Sequence, residues 1–198
     1  KKIPIIVGGT GLYFKALTDG LVKIPNIPIK VRNKIRQMQK KLGQKKFYKK
    51  LKNYDPLIKN KIDKNDVQRS IRAYEIKYQT KKSIFDWFKK TKTFFSTSEF
   101  IKLYIDYPRE ELIKRINFRV EDMFKEGVIQ EVKRFNRLKV KKENSSNKVI
   151  GIKEITSLLD KQCTLEQAKE RIAIKTRQYA KRQATWARGQ MQSWQKIN

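Results

Sequence analysis

Apolar residues come at once in this chain: Ile3, Pro4, Ile5, Ile6 and Val7 run without interruption into Gly8-Gly9-Thr10. A short apolar run stopped by glycine predicts a buried strand over residues 3–7, and the spacing from Leu12 to Leu17 predicts the start of a helix that Asp19-Gly20 ends. The stretch from Pro25 to Pro28 reads as an extended connector. From Ile29 to about Phe88 the apolar positions recur with a helical period in three pieces. The first covers residues 31–42 and is closed by Gly43; the second covers residues 47–54 and is ended by Asp55-Pro56. The third begins at a capping signal at Asp63 and Asp66 and runs to Tyr78. Residues 91–98 form a polar connector around Phe94-Phe95. Alternation with β-branched and aromatic residues predicts a strand over residues 100–107. Pro108 suits the first position of a helix that reaches Gly127 and resumes to Leu138. Residues 139–148 make a basic, mobile loop, and helices are expected over residues 150–159 and 165–186. Strand, turn and helix, then a helical block, then strand and helices again is the order of an α/β core carrying a helical insertion. The expected division is residues 1–28 with 99–198 as the core and residues 29–98 as the insertion.

Charge sharpens this outline. Lys and Arg number 49 against 19 Asp and Glu in 198 residues, a net charge of +30, and only 38% of residues are apolar. Such an excess points to a polyanionic partner, and a phosphodiester backbone is the natural one. A genome biased towards Lys, Ile and Asn accounts for part of it, but Asp and Glu have not risen alongside Lys. The chain has no histidine and one cysteine, Cys163. A histidine base, a catalytic triad, a disulfide framework and a zinc site of the usual kind are therefore excluded, and acid–base chemistry falls to carboxylate, tyrosine or lysine. No apolar run approaches the roughly 20 residues of a membrane span, and no signal peptide is visible, so a cytoplasmic chain is expected.

Three stretches offer chemistry. Gly8-Gly9-Thr10 puts backbone N–H groups, a hydroxyl and a helix N-terminus in one place, which favours an anion; the same glycines could serve only to reverse the chain. In residues 111–124, Leu112, Ile116 and Met123 form an apolar stripe, and Arg119 projects into it. A guanidinium aimed at a core needs an anion, either a structural carboxylate or a bound phosphate. On the last helix Leu165, Ala168, Ile172, Tyr179 and Trp186 share a packing face. One basic row of Arg177, Lys181 and Arg188 and another of Arg171, Lys175 and Arg182 flank it, suiting a helix that docks on a core while gripping phosphates. In residues 66–78, Val67, Ile71, Tyr74 and Tyr78 point inward and leave Gln68, Arg69 and Arg72 outward.

Taken in order, VGGTGLYFKAL, NDVQRSIRAYEI, RINFRVEDM, VIGIKEI and TRQYAKRQATWARG resemble the tRNA dimethylallyltransferase (isopentenyl-tRNA transferase) family across nearly the whole chain. The resemblance implies a P-loop NTPase-like parallel-sheet core, incomplete here, with a helical insertion that grips the anticodon stem. In that family the P-loop and a catalytic aspartate precede the glycine turn, so this chain is expected to be a C-terminal portion, inactive alone. The implied reaction moves a dimethylallyl group from dimethylallyl diphosphate to N6 of the adenosine 3′ of the anticodon. The resemblance makes Thr10 and Arg119 catalytic and puts Gly8, Gly9, Thr10 and Arg119 at the diphosphate. It makes Arg32, Gln68, Arg69, Arg72, Lys148, Lys153, Lys181, Arg182, Gln183, Thr185, Trp186 and Arg188 tRNA contacts. Mg2+ is expected with the diphosphate, its ligand lying outside this chain. The expected partners are the tRNA anticodon stem-loop and dimethylallyl diphosphate, with no membrane, and the protein is expected to be a monomer. Ile152 stands where family members commonly have tyrosine; phosphate contact through Lys148 and Lys153 survives that change. The competing reading is a basic RNA-binding module without catalysis. Non-specific DNA binding is a third reading, and it would show no preference for a folded stem-loop over a duplex.

Overall fold

The computed structural model describes residues 3–141 and 144–197, apart from the side chain of Thr97. It is an α/β structure, mostly helical with a small parallel sheet, and its contacts divide it into residues 1–11 with 101–198 and residues 12–100. Residues 12–28 thus group with the helical unit, whereas the sequence outline attached them to the core. Among the described residues no helix is long and apolar enough to cross a membrane.

In the first unit, β1 (Leu103–Ile105) pairs in parallel with β2 (Gln195–Ile197), Leu103 opposite Gln195 and Ile105 opposite Ile197. The strand expected over residues 100–107 is therefore shorter, and its partner, Gln195-Lys196-Ile197, carries no strand signal. Four helices follow β1: α5 (Arg109–Lys125), α6 (Val128–Arg137), α7 (Ile152–Leu159) and α8 (Leu165–Gln190). Pro108 sits one residue before α5, as its N-cap, because its ψ of 132° is still extended. Amphipathic faces of these helices close one core of Ile116, Val120, Val132, Ile155, Ile172 and Ala173. The basic loop contains a 3₁₀ turn, Ser145–Lys148, and its residues Lys142 and Glu143 lie outside the described residues.

The strand expected over residues 3–7 is not formed. Those residues are extended but unpaired, and Ile3, Ile5 and Val7 are each at least 84% exposed. Apolar patterning cannot make a strand without a hydrogen-bonding neighbour, and buried parallel strands need cover on both faces.

In the second unit, α1 (Gly11–Thr18) leads through the extended Pro25–Pro28 connector to α2 (Ile29–Tyr54), then to α3 (Val67–Thr80) and the short α4 (Ile84–Phe88). Asp66 caps α3 by accepting from the Arg69 N–H at 2.9 Å, and Ser83 with Asp86 forms a capping box on α4. Within α2 the backbone breaks at Gly43, whose φ of 70° and ψ of 163° only glycine adopts readily. The break folds the helix so that Ile35 on one side and Phe47 and Leu51 on the other join Ile58, Ile62, Ala73 and Tyr74 in one core. Tyr54 stacks on Tyr74 with ring centroids 5.2 Å apart.

Candidate functional site

The glycine turn lies against the C-terminal third of α8. That helix begins at Thr164, whose hydroxyl accepts from the Gln167 N–H while the Gln167 side chain accepts from the Thr164 N–H, a reciprocal cap. About five turns on, Gln183 Nε2 donates to the Gly9 carbonyl at 2.9 Å. Trp186 covers Gly11 so closely that a β-carbon there would fall inside its ring, and one at Gly9 would meet the Gln183 amide. Close approach thus requires glycine at Gly11, whereas at Gly9 the end of the flexible Gln183 side chain could give way. Gly8, Gly9 and Thr10 remain exposed, and α1 starts immediately after them with no acidic residue in its first turn. Backbone N–H groups at an exposed helix start make this a place that can receive an anion.

Arg119 is not buried. It is exposed and has no hydrogen bond or ion pair among the described residues, which corrects the expectation of a guanidinium inside the core. The core-facing arc of α5 is centred between Ile116 and Val120 and extends to Phe124. At about 100° per residue Arg119 lies roughly 80° from that centre, at the wet edge of the stripe. The ion pair Glu121–Lys169 ties α5 to α8 at 2.8 Å.

The basic residues of α8 divide by face. Lys181, Arg182, Thr185 and Arg188 are exposed, with the Arg182 guanidinium over the Tyr179 ring, 5.8 Å from its centroid. The Thr185 hydroxyl donates back to the Lys181 carbonyl at 2.9 Å. Of the expected packing face, Ala168 and Ile172 are buried, joined by Ala173 and Ala187, while Leu165 and Tyr179 are more than 40% exposed. Lys175, expected in a phosphate-gripping row, pairs with Glu154.

Glu154 is a residue the sequence reading missed. It is buried, accepts from the Gly151 N–H at 2.9 Å and binds the Lys175 ammonium. Burial pushes its carboxyl up, but those two donors outweigh burial and hold it below the ordinary glutamate value. It thereby fixes the turn from which Lys148 and Lys153 project into solvent.

The helical unit has its own basic cluster. Arg32 and Arg72 line a cleft of about 530 Å³ together with Lys23 and Asn26, while Gln68 and Arg69 are exposed on α3. Arg32 Nε is buried without a hydrogen-bond partner among the described residues. Beneath Arg72 lies Glu75, only 3% exposed. It faces Arg72 Nη1 at 3.5 Å and Arg36 Nε at 3.7 Å. Glu75 and Lys23 also escaped the sequence reading: a carboxylate three residues after an arginine looks like an ordinary surface pair. Among the described residues there is no group of three or more His, Cys, Asp or Glu that could hold a metal ion.

The comparisons with known proteins agree on one family. The chain is 62% identical over 198 residues to a tRNA dimethylallyltransferase of Pelagibacter ubique (strain HTCC1062), covering all of this chain and 63% of that protein. It is 40% identical over 192 residues to a tRNA dimethylallyltransferase of Rickettsia conorii (strain ATCC VR-613 / Malish 7), covering 96% of this chain and 53% of that one. The chain thus spans less than two thirds of the length of these relatives. A solved eukaryotic dimethylallyltransferase acting on tRNA superposes with a TM-score of 0.72 at 32% identity, over 94% of this chain and 47% of that one. The full-length tRNA isopentenylpyrophosphate transferase from Bacillus halodurans superposes with a TM-score of 0.55 at 28% identity, over 95% and 57%. A family model described as IPP transferase matches residues 1–190, and the chain belongs to that family.

Proposed function

We propose that this protein transfers a dimethylallyl group from dimethylallyl diphosphate to N6 of the adenosine 3′ of a tRNA anticodon. The observation that carries the reading is the glycine turn docked on α8: a candidate anion site and an exposed row of Lys181, Arg182 and Arg188 occupy one helix. In the transfer the bond from C1 of the dimethylallyl group to the diphosphate oxygen breaks, its electron pair leaving with the diphosphate. A C1–N6 bond forms, and N6 gives one proton to a base. The turn's N–H groups and the Thr10 hydroxyl stabilise the departing diphosphate, and Arg119 adds a cation. Arg119 has the freedom for this, being exposed and unpaired among the described residues. The target base must leave its stack to be reached. Arg32, Gln68, Arg69 and Arg72 on one unit and Lys148, Lys153, Lys181, Arg182, Thr185 and Arg188 on the other hold the RNA backbone meanwhile. On the family resemblance, the proton-accepting carboxylate and any magnesium ligand belong to a segment that precedes the glycine turn. The same reading makes the protein cytoplasmic and monomeric.

The test is to incubate the full-length protein with dimethylallyl diphosphate and an anticodon stem-loop and to follow the mass of the RNA. Gain of one dimethylallyl group, lost when the target adenosine is replaced, is the expected result. RNA binding without transfer would leave a basic RNA-binding module and overturn the proposal.

A further inference from the structure

We infer that Gln183 and Trp186 are positioning residues, through which the RNA-facing helix sets the conformation of the turn that carries Thr10. The inference rests on the proposed activity and assigns these two side chains to the turn instead of to the RNA. Thr10 lies between two fixed points. The carbonyl of the residue before it accepts from Gln183 Nε2 at 2.9 Å, and the residue after it is pressed against the Trp186 ring. Its own side chain is exposed and free to meet a ligand, so the direction of its hydroxyl follows from where Gly9 and Gly11 are held.

The faces of α8 separate the two tasks. At about 100° per residue, Lys181, Thr185 and Arg188 fall on one side of the helix and Gln183 and Trp186 on the opposite side, with Arg182 at the border between them. The first set is exposed; the second set is half-buried. A side chain that donates to a backbone carbonyl 174 residues away is already engaged by the protein. RNA bound along the basic face therefore acts on the turn through the body of the helix. One rigid element carries the RNA grip on one side and the candidate diphosphate turn on the other.

The experiment uses the full-length protein and three readouts: turnover, affinity for an anticodon stem-loop, and hydrogen exchange of the segment containing the turn. Gln183→Leu and Trp186→Leu should lower kcat about tenfold or more, as small misplacements at a reacting centre do. They should leave stem-loop Kd within about twofold. Gln183→Leu should also speed exchange of the turn about fivefold, the loss of one hydrogen bond. Gly11→Ala should lower kcat through its clash with the Trp186 ring, and Gly11→Ala/Trp186→Leu should recover part of that loss, a rescue that a general folding defect would not give. A weakened Kd with intact kcat would make both residues RNA contacts and overturn the inference, and so would unchanged exchange in Gln183→Leu whatever the activity. Absence of transfer by the unaltered protein would count against the proposed function, while the exchange measurement would still decide the clamp.

Discussion

Glu154 does three things with one carboxylate: it closes the start of α7 at the Gly151 N–H, holds Lys175 on α8, and so joins two helices at the base of the Lys148–Lys153 turn. Its pairing makes a stability claim with a definite sign. The folded carboxyl is held below its ordinary value of 4.5, so the stabilisation is fully present above that value. It is lost as pH falls through the lower, folded value. Glu154→Ala should cost about 1–3 kcal/mol at neutral pH, since a buried N–H loses its acceptor. Lys175 is half exposed and can return to water, which keeps the cost below that of breaking a fully buried pair. Thermal unfolding of wild type and Glu154→Ala between pH 7 and pH 3 should show a gap in Tm that closes only at the acidic end. A gap that stays constant over that range would deny the carboxylate its charged role.

At the scale of the element, the break in α2 decides whether the helical unit can close its core. Gly43 has φ 70° and ψ 163°, and a β-carbon there would meet nothing within 4 Å. The penalty of Gly43→Ala is therefore conformational and not steric contact, about 1–3 kcal/mol. Urea unfolding should show a lower midpoint, with Phe47 and Leu51 drawn away from Ile35 if the helix straightens. An unchanged midpoint would mean the break is set by packing alone. Gly43 is also a case where the sequence was readable: a glycine between two amphipathic runs marked the junction, and Asp66 marked the start of α3. Helices reveal themselves through a period and local caps, both written in neighbouring residues. Residues 3–7 and Gln195–Ile197 show the opposite limit. A strand depends on its partner, so an apolar run without one stays unpaired, and a polar tripeptide beside β1 becomes a strand. The site divides in the same way. The glycine turn and the basic rows of α8 were legible from residue types, but the burial of Glu75 and Glu154 was not, because both sit among lysines and arginines that suggest a solvated surface. Arg119 was misplaced because its stripe was drawn from Leu112, Ile116 and Met123; adding Val120 and Phe124 moves the centre of the face away from it.

For the whole molecule the governing quantity is a net charge of +30, and the question is how much of it is available to a polyanion. Part is neutralised internally, and α8 shows both cases. Lys169 binds Glu121 at 2.8 Å and Glu166 at 3.6 Å, whereas Lys181 is exposed and has no carboxylate partner among the described residues. Hydrogen bonding to Glu121 raises the Lys169 ammonium above its ordinary value, so it stays charged while its field is cancelled locally. Counterion release counts only cations that replace condensed ions on the phosphate backbone. Lys181→Ala should therefore weaken stem-loop binding and reduce the slope of log Kd against log salt by roughly 0.7–0.9. Lys169→Ala removes the same formal charge from the same helix and should leave that slope unchanged. Titrations of each variant over about 50–200 mM salt make the comparison. Equal losses of slope in both variants would mean that the RNA responds to total charge, with no oriented basic face on α8.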